Sequence, residues 1–201
     1  MIDDVRKHFD ETGALLSGHF KLSSGLHSSQ YLQCAKVLQW PDRAERLGRA
    51  LAERMRERAP SVVVSPAMGG LIIGQEVARG LSVRAIFAER VDGAFTLRRG
   101  FQLEKGERVA VVEDVITTGK STREVLGLVR SLGAEPVAAG AVIDRRGDER
   151  RGEESSIDGV PVHALLAMEV PTWEPALCPL CHAGKTVMVP GSRFLPGGSG
   201  S

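Results

Sequence analysis

An unbroken apolar run, Val109 to Val112, meets two acids, Glu113 and Asp114, with no spacer between them. Small and β-branched residues without polar alternation suit a strand buried on both faces, as in parallel sheets covered by helices. Charge in the middle of such a strand is expensive. At its C-terminal end, where open α/β sheets bind ligands, charge is tolerable. The two acids are therefore expected to face a ligand. Thr117, Thr118, Gly119, Lys120, Ser121 and Thr122 follow and lead into a helix with Val125, Leu128, Val129 and Leu132 at helical spacing. A hydroxyl-rich loop ending on the free N–H groups of a helix can cradle a phosphate.

The rest of the chain repeats this strand-then-helix pattern. Val62 to Val64 breaks at SPAMGG, Ser65 to Gly70, before a helix with Leu71, Ile72, Val77 and Ala78. Ala85 to Ala88, Val137 to Ile143 and Pro161 to Glu169 supply further strands, and the third of the chain's long apolar runs ends on Asp144 and Arg145. Pro41 and Asp42 open a helix with Ala44, Leu47, Leu51 and Met55 on one face. Asp3 can cap an earlier helix bearing Val5 and Phe9. Strands alternating with helices predict an α/β fold, a doubly wound parallel sheet. Two stretches break the pattern. Gly18 to Tyr31 reads as two short strands around a turn at Ser24 and Gly25, and Glu89 to Arg99, which holds Arg90, Arg98 and Arg99, reads as a mobile loop or loose hairpin. The charged run from Arg145 to Ser156 reads as a solvated excursion in which Arg145 alone has a role.

At 201 residues the chain can bury one good core. A single domain over 1–196 is expected, with a small hood from about 1–40 and the C-terminal segment, and a flexible tail at 197–201. The formal charge of +1, from 26 basic and 25 acidic residues, offers no basic field for nucleic acid. No apolar run approaches a membrane span and Met1 to Asp10 lacks a signal peptide's apolar stretch, so a cytoplasmic protein is expected. Cys178 and Cys181 form one C-x-x-C with His182 adjacent. A structural zinc site needs four ligands, and Cys34 alone cannot complete one within the chain. The pair is accordingly read as a turn with reduced thiols, zinc requiring a second pair from across a dimer.

The sequence Gly119-Lys120-Ser121 imitates a P-loop, but that motif needs glycine where Asp114 stands. The apolar strand, acidic pair and hydroxyl-rich loop instead resemble the phosphoribosyl pyrophosphate (PRPP) signature of type I phosphoribosyltransferases. FKLSSGLHSSQY, SPAMGG and VIDRRG resemble, in order, the base-recognition loop, pyrophosphate loop and base-holding strand end of orotate phosphoribosyltransferases. The resemblance implies PRPP contacts from Arg90, Glu113, Asp114, Val115, Ile116, Thr117, Thr118, Gly119, Lys120 and Ser121, and from Ala67, Met68, Gly69 and Gly70. It implies orotate contacts from Thr117, Arg145, Ser23, Ser24 and Gly25. Arg90, Arg98, Arg99 and Asp114 are the implied catalytic residues. Mg²⁺ would be held mainly by substrate and also by Glu113 and Asp114, in a homodimer with shared sites. Two departures stand out: Ser23 and Gly69 occupy positions where many members carry lysine. A phosphoribosyltransferase for a purine or uracil, or a PRPP-sensing regulator that binds nucleic acid, is the alternative.

Overall fold

The computed structural model describes residues 2–22, 24–146 and 155–189. Ser23, the excursion at 147–154 and the tail at 197–201 lie outside the described residues. In chain order the elements are α1 (Ile2–Glu11), β1 (Leu15–Lys21), β2 (His27–Leu32), α2 (Ala35–Leu38), α3 (Pro41–Met55), β3 (Val62–Pro66), α4 (Gly70–Leu81), β4 (Arg84–Val91), β5 (Ala94–Leu97), β6 (Arg108–Ile116), α5 (Lys120–Ser131), β7 (Glu135–Asp144), β8 (Ser156–Ile157), β9 (Val160–Ala167), β10 (Thr172–Trp173) and α6 (Pro179–His182). They divide into two compact units. Met1–Thr12 with Cys34–Glu169 forms the larger, and Gly13–Gln33 with Val170–Ser201 the smaller. The first helix and residues 34–40, expected in a hood, thus belong to the larger unit.

The larger unit is built on a seven-stranded sheet of order β5-β4-β3-β6-β7-β9-β8. The five central strands run parallel and the edges β5 and β8 antiparallel. Burial on both faces explains the unalternating runs: Val62, Val63, Val64 and Val109 to Val112 are fully buried. On one face Val62, Val64, Val109 and Val111 share a core cluster with Val125, Leu126 and Val129 of α5. Against the other, a Cβ added at Gly74 of α4 would touch Ser65 and the Val63 side chain.

Helix phase differs from the spacing first read. In α4 the buried stripe is Gly70, Ile73, Gly74, Val77 and Ala78, while Ile72 is 46% exposed. Two glycines belong to the stripe, because their missing side chains admit the sheet. In α5 the stripe is Thr122, Val125, Leu126 and Val129, and Leu132 is 43% exposed. The stretch Glu89 to Arg99 is a paired hairpin through Leu97, with Val91 opposite Ala94. Asp92 and Gly93 have φ of 49° and 85°, as the two central residues of a type I′ turn require. Arg146, read as solvated, is almost wholly buried: its guanidinium clasps the Asp144 carboxylate at 2.7–3.2 Å and reaches the Ser156 carbonyl.

The smaller unit carries the three-stranded sheet β1-β2-β10. The expected turn is there: Gly25, at φ 87°, donates its N–H to the Leu22 carbonyl at 2.9 Å. Among the described residues no helix is long and apolar enough to cross a membrane.

Helices α3 and α4 pack closely at Gly48, where an added Cβ would lie 2.3 Å from Cβ of Glu76 and 2.7 Å from its backbone. Gly48→Ala should therefore destabilise the protein by about 1–3 kcal/mol, although helix propensity favours alanine by about 1 kcal/mol. Gly127→Ala, on the open face of α5 with nothing within 4 Å, should stabilise by about 0.5–1 kcal/mol. Urea unfolding of both variants checks the pair.

Candidate active site

The strand order reverses between β3 and β6. The connection through α4 carries β3 to β4 on one side, and the connection through α5 carries β6 to β7 on the other. Crevices at such a reversal, beyond the C-terminal strand ends, are where open α/β sheets bind ligands. The two turns that flank it are Ser65 to Gly70 and Thr117 to Gly119. The backbone ties further residues to the same edge: Ala67 N–H donates to the Ala88 carbonyl at 2.8 Å, and Arg145 N–H to the Ile116 carbonyl at 2.8 Å. Thr117 and Arg145 are therefore neighbours across the end of the ladder.

β6 continues past the apolar run through both acids to Ile116. Successive side chains of a strand point to opposite faces, so Glu113 and Asp114 diverge. Glu113 lies on the α5 face, 9% exposed, and accepts a 2.7 Å hydrogen bond from the Thr122 hydroxyl. Asp114 faces the other turn: a Cβ on Gly69 would stand 2.7 Å from its Oδ1. In this arrangement a side chain at residue 69 would have to displace the Asp114 carboxylate. Burial pushes the Glu113 carboxyl up to about 7, the Thr122 hydroxyl pulls it partly back, and the Asp114 charge adds to the rise. Burial also raises Asp114, opposed by the Val115 N–H that donates to Oδ1 at 2.8 Å. Cys34 is buried beside this pair, its thiol within 3.8 Å of the Asp114 carbonyl, and burial followed by the Asp114 charge holds it well above the usual thiol range.

Thr117, Thr118 and Lys120 are exposed at the start of α5, and Gly119 turns the chain at φ 74°. Gly119 has no side chain to cap this helix; the Thr118 hydroxyl accepts the Lys120 N–H at 3.3 Å, and the N–H groups that follow point toward the crevice side of the turn where an anion is favoured. Ile116 is 1% exposed and its side chain belongs to the core with Val125 and Leu126, so its implied PRPP contact does not extend to the side chain. Met68 and Gly69 are exposed in the opposite turn, and Gly70 starts α4. Arg90 is drawn to Glu124 of α5 at 2.6 Å and lies 4.1 Å over the Phe95 ring. Arg99 pairs with Glu89 at 2.9 Å, and Arg98 is exposed beside it. Ser24 and Gly25 belong to the smaller unit.

A family model described as the phosphoribosyl transferase domain matches residues 33–163. The orotate phosphoribosyltransferase of Pelotomaculum thermopropionicum is 52% identical over 194 residues, covering 96% of this chain and 98% of that protein. The chain belongs to the orotate phosphoribosyltransferase family. A second family member, from Caldicellulosiruptor bescii, is 49% identical over 186 residues, 92% of this chain and 94% of that one. The orotate phosphoribosyltransferase of Aeropyrum pernix superposes with a TM-score of 0.68 at 27% identity, over 82% of this chain and 93% of that chain.

Two residues of this family member were not singled out as partners of the acids from sequence. Thr122 was legible as a buried helix position once the stripe is read from 122 rather than 125. Arg146 had no such signal, because a buried arginine in a charged run looks like any solvated one. Separately, an open cavity of about 780 Å³ lined by Arg84, Phe101, Gln102 and Glu107 lies at the opposite, N-terminal edge of the strands, where Arg84 and Glu107 already pair at 2.7 Å.

The raised Glu113 value has a signed consequence. Between its ordinary 4.5 and about 7 the folded protein holds a proton that the unfolded chain has lost. Stability should therefore fall as pH rises through that window, by on the order of 3 kcal/mol if Glu113 alone titrates. Glu113→Gln should flatten this part of the ligand-free protein's stability profile, measured by urea unfolding from pH 4 to 8 (about four pH units); an unchanged slope would place the titration elsewhere.

Proposed function

We propose that this chain transfers ribose 5-phosphate from PRPP to orotate, giving orotidine 5′-monophosphate and pyrophosphate. The observation that carries the reading is the crevice at the strand-order reversal, where a carboxylate pair raised by burial stands beside a helix terminus that begins on a glycine. Carboxylates held in this way favour a partner that brings hydroxyl donors or positive charge. The ribose diol and a metal-bound pyrophosphate bring both. All-oxygen donors at Glu113 and Asp114 fit Mg²⁺. Bound with the substrate, Mg²⁺ would neutralise charge on the pyrophosphate as it leaves.

In this reading Asp114 and Glu113 orient the ribose, while Thr117, Thr118, Lys120, Ser121 and the N–H groups beyond Gly119 hold the 5′-phosphate. Val115, Ala67, Met68, Gly69 and Gly70 shape the crevice for the diphosphate. The C1′–O bond breaks, its electron pair leaving with pyrophosphate, and the orotate ring nitrogen forms the new bond to C1′ and releases its proton. Arg145, next to Thr117 in register, supplies the planar fork that suits an orotate oxyanion. Ser24 and Gly25, with Ser23, are assigned to orotate by resemblance. A cytoplasmic homodimer with shared sites completes the proposal.

The direct test is loss of orotate absorbance on mixing the protein with PRPP and Mg²⁺, uracil and purine bases serving as controls. Turnover of a control base in place of orotate would replace this reading with another phosphoribosyltransferase. Within the orotate reaction, Arg145→Ala should raise the KM for orotate roughly ten- to a hundredfold, the loss of one charge-assisted pair, with a much smaller effect on PRPP. Equal losses for both substrates would make Arg145 structural.

Arg90 and Arg99 are engaged in exposed ion pairs, which are weakly held and release readily to a more highly charged phosphate. Arg98→Ala and Arg99→Ala should lower kcat more than they weaken PRPP binding, as expected of contacts made after the hairpin reaches the leaving group. If sites are shared, mixing either variant with Asp114→Asn subunits should restore part of the activity. Absence of rescue in demonstrated heterodimers would confine each hairpin to its own subunit.

A further inference from the structure

The smaller unit holds a cluster that the phosphoribosyltransferase reading does not use. Nε2 of His19, Nδ1 of His27 and the sulfurs of Cys178 and Cys181 all lie within 4.8 Å of one another. The two histidine nitrogens are 2.9 Å apart. His19 Nε2 is 3.5 Å from Cys178 Sγ and 3.6 Å from Cys181 Sγ, and His27 Nδ1 is 3.2 Å from Cys181 Sγ. His182, the histidine of the sequence motif, stands outside the cluster, its Nε2 donating to the Ala176 carbonyl at 3.1 Å. The second ligand pair sought across a dimer is thus present in the same chain, on β1 and β2.

A hydrogen-bonded network is the competing account, and the count of bonds goes against it. His19 Nδ1 lies 2.8 Å from the Lys185 carbonyl, to which it donates its N–H. In a neutral ring Nε2 then carries a single lone pair, yet three polar atoms converge on it. Convergence on a common point is what a central cation requires. Zinc bonds of about 2.3 Å to sulfur and 2.0–2.1 Å to nitrogen make tetrahedron edges of about 3.3 Å between nitrogens and 3.5 Å between nitrogen and sulfur. The three nitrogen–sulfur separations, 3.2, 3.5 and 3.6 Å, bracket the edge of about 3.5 Å, while the 2.9 Å between the nitrogens is shorter than the edge of about 3.3 Å and would open as the ion enters. The backbone carbonyl on His19 Nδ1 is also the usual outer partner that orients a metal-binding imidazole.

The surroundings give such an ion a purpose. The described apolar core of this unit is small, Ala14, Phe20, Leu32 and Val170, and β10 has two residues. Small units with little apolar core are commonly fastened by a disulfide or a metal. Two thiolates and two neutral imidazoles around a divalent ion form a site with no net charge, so it can be buried at little electrostatic expense. Sulfur and nitrogen donors also select a softer metal than the oxygen donors assigned to Mg²⁺.

We propose that His19, His27, Cys178 and Cys181 bind one structural Zn²⁺ that fastens the N-terminal hairpin to the C-terminal segment. The inference goes beyond the orotate reaction and does not depend on it. The test is metal analysis of the full, tag-free chain purified without chelator, together with its Co²⁺-substituted form. One zinc per chain is expected, with the visible d–d bands of tetrahedral cobalt and thiolate charge-transfer absorption after substitution. Cys181→Ser and His27→Asn should each lose the stoichiometric metal, whereas His182→Ala and Cys34→Ala should keep it. Should a ligand variant fail to fold, the wild-type protein still decides: chelation should remove one zinc and lower the thermal midpoint, and added Zn²⁺ should restore both. A wild-type chain that contains no zinc and takes up none from zinc solution, with its thiols free, would overturn the proposal. So would retention of the metal in Cys181→Ser and His27→Asn.

Discussion

The hydrogen bond from the Thr122 hydroxyl to the Glu113 carboxylate joins the core of the larger unit to its chemistry. It exists because one face of β6 runs Val109, Val111, Glu113, and the buried stripe of α5 begins at Thr122. The same packing that excludes water from the valines raises the Glu113 carboxyl to about 7. A helix shifted by one residue would leave that carboxylate in an apolar pocket with no donor, at a penalty of several kcal/mol or about that order. Core and site therefore share one register.

On the opposite face the constraint is space. Asp114 occupies the position a side chain at residue 69 would need, and Ser65 occupies the position of one at residue 74. The glycines of the Ser65 to Gly70 turn and of α4 fit that close approach at the reversal of strand order. Positive charge is supplied differently. Arg90 and Arg99, on the hairpin and just past it, rest in exposed pairs, while Arg146 is locked to Asp144 at the strand end. Buried arginine fixes the strand end, whereas the exposed pairs are weakly held.

The smaller unit is governed by other rules. It has few apolar side chains to bury, and its segments meet instead at the cluster of His19, His27, Cys178 and Cys181 and at backbone ties such as Met188 N–H to the His19 carbonyl at 2.7 Å.

Runs of β-branched residues, the acid pair, the hydroxyl loop and the glycine turns determined the α/β architecture and the residues of the candidate site, because those features are local and periodic. Parity along β6 was also legible: adjacent acids on a strand must diverge, whatever they bind. Three things needed the tertiary structure. Helix phase in α4 and α5 depended on glycine and threonine joining the buried stripe, which hydrophobic periodicity alone does not reveal. The burial of Arg146 depended on a partner, Asp144, whose side chain turns inward only once β7 is in the sheet. The four-donor cluster depended on strand pairing, since His19 and His27 are brought together by the register of a hairpin and meet cysteines more than 150 positions away, as the His27–Cys181 contact shows with a separation of 154. Sequence spacing carries short-range chemistry, whereas donors converging from distant segments are assembled by the fold.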